Sequence, residues 1–117
     1  MYYLIIHLLK TEYREDILLA LTSCGIKTGS VVEGQNLDRV LENDMPLFSG
    51  LIKSEEERER YSTFIMAVIS SKDKVTELVQ LLKEAGIDIM KQEVLRIILL
   101  PVEMVVGCEN MQGNRKK

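Results

Sequence analysis

The sequence is poor in the residues that small proteins use for cross-links, metal sites and base stacking. Among its 117 residues there are no tryptophans, two phenylalanines, two prolines, two cysteines and one histidine. Cys24 and Cys108 have neither the number nor the spacing of a disulfide framework or a zinc-ligand set. We therefore expect both to be reduced thiols in a cytoplasmic protein.

A basic stripe and a long hydrophobic run are also missing. The net charge is −3, and lysine and arginine form no cluster before the tail that would meet nucleic-acid phosphates. The apolar run over residues 2–9 is too short to span a bilayer. It also lacks the basic start and the cleavage site of a signal peptide. We expect neither a nucleic-acid partner nor membrane insertion.

What the chain does have is a regular order of two kinds of apolar segment. Hydrophobic residues make up 46% of the chain and charged residues 28%, which suits one buried core. Runs of branched aliphatic and aromatic residues predict strands over residues 2–9, 30–33, 61–69 and 95–106. Apolar residues at helical spacing predict one helix that Thr11 caps and Gly25 ends, a short one over 37–43, and one that Ser70 caps and Gly86 ends.

The order of these elements predicts the fold class. The motif Leu-x-x-x-Gly-Ile occurs at residues 21–26 and again at 82–87, each time after a strand and an amphipathic helix. Two such halves predict an α+β ferredoxin-like βαββαβ sandwich, a four-stranded antiparallel sheet with two helices on one face. We expect one domain over residues 1–109, with a loop insert at about 34–60, and a disordered tail over 110–117.

The predicted strands are apolar on both faces. A sheet face that meets water alternates apolar with polar residues, but these strands do not alternate. In the first strand Leu4, Ile6 and Leu8 lie on one face, and Tyr3, Ile5 and His7 on the other. Because a large exposed apolar patch favours association, we expect the helix-free face to pack against other copies of the chain.

The stretch over residues 31–51 resembles the P-II-like proteins, relatives of the nitrogen regulatory protein P-II. The resemblance is carried by Gly34, Arg39-Val40-Leu41 and Asp44-Met45-Pro46-Leu47-Phe48-Ser49-Gly50-Leu51, with Pro101-Val102-Glu103 near the end. Through the order of elements it covers residues 2–107. It implies a homotrimer whose sheets face inward, and a protein partner bound by the loop after Gly34. It also implies a small ligand, with ATP, ADP or AMP as candidates, in clefts between subunits.

The resemblance also implies site residues. Gly34 and Arg39 match positions at the base of the family's loop that lie near phosphates. Asp38 and Arg39 are candidates for a cap and a ligand-binding cation, and the alternative for them is a surface ion pair. Leu47 and Phe48 are candidates for a loop anchor in the groove between subunits or for a contact with the protein partner.

The family's glycine- and lysine-rich loop before the last strand is replaced here by residues 85–93, which include one glycine. The ligand therefore stays open between an adenine nucleotide and a non-nucleotide small molecule. A second alternative is a trimer with a divalent metal, like the CutA proteins of the same architecture. We do not expect the protein to be an enzyme, because the sequence does not indicate a nucleophile with a base and a group that orients the base. His7 has no evident serine or cysteine partner, and we expect it to be a packed or interface residue.

Overall fold

The computed structural model describes residues 1–44 and 61–107, which form four strands, a single 3-10 turn and three α-helices. The elements in chain order are β1 (Tyr2–Leu8), the 3-10 turn (Thr11–Tyr13), α1 (Arg14–Ser23), β2 (Ser30–Gln35), α2 (Leu37–Asp44), β3 (Tyr61–Ile69), α3 (Asp73–Glu84) and β4 (Leu95–Pro101). The predicted tail, Cys108 and most of the predicted loop insert lie outside the described residues.

The four strands form one sheet in the order β2-β3-β1-β4, with every neighbouring pair antiparallel. In the centre of the sheet, Ile5 pairs with Met66 on β3 and with Ile98 on β4. This arrangement with helices on one face confirms the predicted ferredoxin-like α+β fold. The insert adds α2, which starts at Leu37 as predicted and ends at Asp44, one residue beyond the predicted end.

Helices α1 and α3 cover one face of the sheet and bury the core against it. Every second residue of β1 points into this core, beginning with Leu4, which is fully buried. Removing one such leucine side chain from water stabilises the fold by about 1.5–3 kcal/mol. The largest buried apolar residues of the core are Leu4, Ile6, Leu8, Ile17, Leu21, Ile65, Ile69, Leu78, Leu82, Ile87 and Leu95.

The two helices are tied to each other at the end of α1. The Lys74 Nζ donates a hydrogen bond of 2.7 Å to the backbone carbonyl of Cys24, where a helix leaves carbonyls without helical partners. Burial raises the pKa of the Cys24 thiol, which lies in the core. Gly25 and Gly86 have φ of 84° and 91° after their helices, which confirms both predicted helix ends.

Three of the predicted boundaries are wrong. Thr11 does not cap α1, because it begins the 3-10 turn and α1 starts at Arg14 without a side-chain cap. At α3, Ser71 rather than Ser70 accepts the hydrogen bond from the backbone N–H of Asp73, at 3.0 Å. Strand β4 ends at Pro101 instead of Val106.

The early end of β4 has a simple cause. Pro101 pairs with Tyr2, and the next backbone N–H, that of Val102, donates to the carbonyl of Met1 at 3.0 Å. Because β1 begins at Tyr2, the pairing between the two strands ends there. Since β4 is an edge strand, Pro101 lies where a sheet can accept a residue that has no N–H.

The second face of the sheet, which we call the open face, is apolar and accessible. On this face, Ile98 and Leu100 of β4 are 44% and 47% exposed, although each is paired with a residue of β1. The residues of the open face, from the register, are Ser30, Val32, Gly34, Ser62, Phe64, Met66, Val68, Tyr3, Ile5, His7, Arg96, Ile98 and Leu100. Both faces of the sheet are therefore apolar, as the strand patterns predict.

We predict that Gly29→Ala destabilises the protein, whereas Gly34→Ala does not. A Cβ at Gly29 would lie 2.5 Å from the carbonyl oxygen of Met66, and the φ of Gly29 is 157°. A Cβ at Gly34 would meet only the Phe64 ring, at 3.5 Å. We expect Gly29→Ala to lower the free energy of unfolding by about 1–3 kcal/mol in urea titrations. Equal effects of the two substitutions would contradict the prediction.

Candidate functional site

The candidate site lies on the open face, at the end of the sheet where β2 leads into α2. We call the chain over residues 34–39 the loop base. The antiparallel register brings three residues from distant parts of the sequence together beside it. His7 on β1 is paired with Phe64 on β3 and with Arg96 on β4. The pairing of one central strand thus places a phenyl ring, an imidazole and a guanidinium in a row across the sheet.

A chain of side-chain hydrogen bonds connects the sheet to the loop base. The Nε2 of His7 lies 2.9 Å from the Oγ of Ser62, and the Ser62 hydroxyl donates to the Oδ1 of Asn36. Since a serine hydroxyl has one proton and Ser62 gives it to Asn36, the His7 Nε2–H is the donor to Ser62. The Nε2 of His7 therefore carries a proton in this arrangement.

This geometry gives His7 a serine partner that the sequence does not reveal. The sheet brings Ser62 to His7 from 55 residues away. In a nucleophilic pair, however, the hydroxyl donates to the histidine. Here Ser62 donates to Asn36 and is only 1% exposed. The arrangement fixes side chains in place and does not activate a nucleophile.

Asn36 also fixes the start of α2. Its backbone carbonyl accepts hydrogen bonds from the N–H groups of Arg39 at 3.0 Å and Val40 at 3.2 Å. Its side chain meanwhile binds Ser62 on β3. The first turn of α2 is thus anchored to the sheet through one residue. Because Ser62 binds His7 in turn, the loop base and the centre of the sheet are connected by side chains.

The ring of Phe64 holds the imidazole from the other side. The two ring centroids are 4.5 Å apart with an interplanar angle of 16°, which is a stacked arrangement. Phe64 also lies next to Gly34, where a methyl group would be in ordinary contact with the ring. The stacking and the hydrogen bond to Ser62 together leave the His7 ring one orientation.

Arg96 gives the site its charge. Burial lowers the pKa of His7 below its ordinary value of 6.5, and the positive charge of Arg96 lowers it further. Both effects favour the neutral imidazole. The site near neutral pH therefore contains one fixed cation and one neutral ring that can become a second cation.

The structure places three of the predicted site residues at the loop base. Gly34 lies on the open face near the end of β2, and Asp38 and Arg39 lie in the first turn of α2, both partly buried. Leu47 and Phe48 lie outside the described residues. The residues that the sequence did not single out are Asn36, Ser62, Phe64 and Arg96. Only the pairing register, which no local pattern reveals, brings them to His7.

Comparisons with known proteins add no family assignment. No protein-family model matches the chain, and no curated protein matches it. The resemblance to P-II-like proteins therefore stays a prediction. Within residues 1–44 and 61–107, no group of three or more His, Cys, Asp or Glu side chains could hold a metal ion. No helix in the same part of the chain is long and apolar enough to cross a membrane.

We predict that His7 makes the protein less stable as the pH falls below about 6.5. The pKa of His7 is lowered in the folded chain, so the unfolded chain takes up a proton first as the pH falls. The stabilisation is complete above the unfolded pKa and is lost towards the lower folded pKa. Urea titrations of wild type and His7→Gln at a pH above and a pH below this range measure the effect. An equal loss of stability in both proteins would contradict the assignment to His7.

Proposed function

We propose that the chain is a subunit of a P-II-like sensor protein. In this proposal three copies associate through their open faces, and a small ligand binds at the loop base near Gly34, Asp38 and Arg39. The loop that follows binds a protein partner. The observation that carries the proposal is a sheet with two apolar faces, of which the described helices α1 and α3 cover only one.

The composition of the open face supports association between copies. Its central residues are aliphatic or aromatic, and Val32, Ile98 and Leu100 are each more than 40% exposed. Such a surface gains free energy when it leaves water. It is also continuous across four strands, so it offers one broad contact area. These properties suit an interface between sheets better than a surface that stays in water.

The anchored loop base supports a ligand site. Ser62 and Asn36 fix the entry into α2, so that the polar residues of its first turn are held in one place. A binding site needs its first contacts fixed before the ligand arrives. Arg39 offers a guanidinium there, and guanidinium groups bind phosphates and carboxylates in a planar, two-bonded geometry. Gly34 in β2 has no side chain that would keep a ligand from the backbone.

We predict that Ile98→Glu dissociates the assembly. The substitution puts a charge in the centre of the open face, opposite Ile5, and a buried unpaired charge is strongly unfavourable. Light scattering coupled to size exclusion should give three times the chain mass of 13.4 kDa for wild type and a lower mass for the variant. Leu19→Glu is the matched control, because Leu19 is 67% exposed on α1. A monomeric wild type would contradict the proposed assembly.

We predict that ATP, ADP or AMP raises the thermal midpoint of the protein. A ligand that binds only the folded chain adds about 2.7 kcal/mol when its concentration is about 100 times its Kd. Arg39→Ala should remove the increase without changing the assembly mass. Arg14→Ala is the control, because Arg14 lies 3.8 Å from Glu33 in an exposed ion pair.

Three outcomes of this measurement separate the hypotheses. An increase with a nucleotide that is lost in Arg39→Ala supports the nucleotide-binding sensor. An increase with a divalent metal and none with a nucleotide would instead favour a CutA-like metal-binding trimer. An increase with a nucleotide that persists in Arg39→Ala would place the nucleotide elsewhere and contradict the role of Arg39.

A further inference from the structure

We propose that His7 and Arg96 form a binding site for an oxyanion, a carboxylate or a phosphate group, on the open face of the sheet. This inference rests on the proposed function in one respect, since it takes the end of the sheet beside the loop base as the ligand site. It goes beyond that function by naming the chemical group that is bound and two residues that bind it.

The first argument is the position of the two side chains. His7 and Arg96 are direct partners in the antiparallel pairing of β1 with β4. Directly opposed residues have Cβ atoms about 4.5–5.5 Å apart, so both side chains leave the sheet side by side on one face. When His7 is protonated, the two positive charges in this position repel each other. An anion between them would turn the repulsion into two attractions.

The second argument is the hydrogen-bonding capacity that is left over. His7 uses Nε2 for Ser62, and its Nδ1 has no hydrogen-bond partner in the described part of the chain. The guanidinium of Arg96, an exposed residue, likewise has no ion pair among residues 1–44 and 61–107. An oxyanion has acceptors for both groups, and it would accept from Nδ1–H once His7 is protonated.

The third argument is the charge of the surroundings. No residue of the open face carries a negative charge. The two β3 side chains that contact His7 are those of Ser62 and Phe64, and both are neutral. Glu33 of β2 faces the opposite side, where it accepts a hydrogen bond from Thr63. The first turn of α2 has one acid and one base, Asp38 and Arg39, which add no net charge. The pair therefore lacks a counter-charge on its own face.

The fourth argument is that the imidazole is already held in place. Stacking on Phe64 and the hydrogen bond to Ser62 fix the ring before any ligand binds. A ligand therefore does not have to order the His7 side chain, which lowers the free-energy cost of binding. Arg96 can then reach the same anion with its planar guanidinium.

His7 is the only histidine of the chain, so its imidazole resonances in NMR spectra report on the site without assignment. The experiment titrates the full chain with sodium phosphate and, separately, with sodium succinate, while sodium chloride keeps the ionic strength constant. We expect at least one of the two to shift the His7 resonances to a saturating value and to raise the pKa of His7. The probe that saturates at the lower concentration identifies the anion as phosphate or carboxylate.

Arg96→Gln tests the second residue. Loss of a charge-assisted hydrogen bond should weaken binding of the effective anion by about tenfold or more. Without added anion, the same variant should raise the pKa of His7, because the neighbouring positive charge is gone. Arg14→Gln is the matched control: it removes the same charge beside Glu33 and should leave both the affinity and the pKa of His7 as in wild type.

The proposal is overturned if neither anion changes the pKa of His7 at constant ionic strength. It is also overturned if Arg96→Gln binds the anion as tightly as wild type. Both residues of the site belong to one chain, and the assembly mass is measured by light scattering on the same wild-type sample. A response to the anion supports the site whether that sample is assembled or monomeric, so failure of the proposed assembly and failure of the anion site are separate results.

Discussion

The rest of the structure depends on the pairing of β1 with a neighbour on each side. Leu4, Ile6 and Leu8 are buried against the helices, and this fixes which face every other residue of β1 presents. A slip of one residue would expose these three side chains and turn Tyr3, Ile5 and His7 towards the helices. The helix-covered core therefore specifies the register, and the register places His7 between Phe64 and Arg96.

The hydrogen bonds that link His7, Ser62 and Asn36 connect the strand register to the position of α2, outside the sheet. The strand pairing positions Ser62 and His7, and Asn36 then transmits their position to the first turn of α2. The orientation of the helix that starts the insert thus follows from packing on the opposite face of the sheet. A site built on fixed strands in this way is more precise than one built on a loop alone.

Much of the fold could be predicted from the sequence, because its signals are local. The helical spacing around Ile17 and Leu78, the glycines after the helices and the runs of branched residues each indicate one element. The site could be predicted only in part. Gly34, Asp38 and Arg39 lie in one stretch, but Ser62 and Arg96 meet His7 only through strand register, which depends on contacts far apart in sequence. The end of β4 at Pro101 also depended on where β1 begins.

The two edges of the sheet determine how copies of this chain can meet. The last paired residue of β4 is Pro101, which has no N–H to offer a new strand. The other edge, β2, is six residues long and carries Glu33 and Gly34 in its second half. Short strands, charges and proline are the features by which proteins prevent strands from adding at an edge. Strands that add at an edge can go on adding without limit, whereas sheets that pack face to face can form a closed assembly. The edges of this sheet disfavour added strands, and its open face remains available for packing.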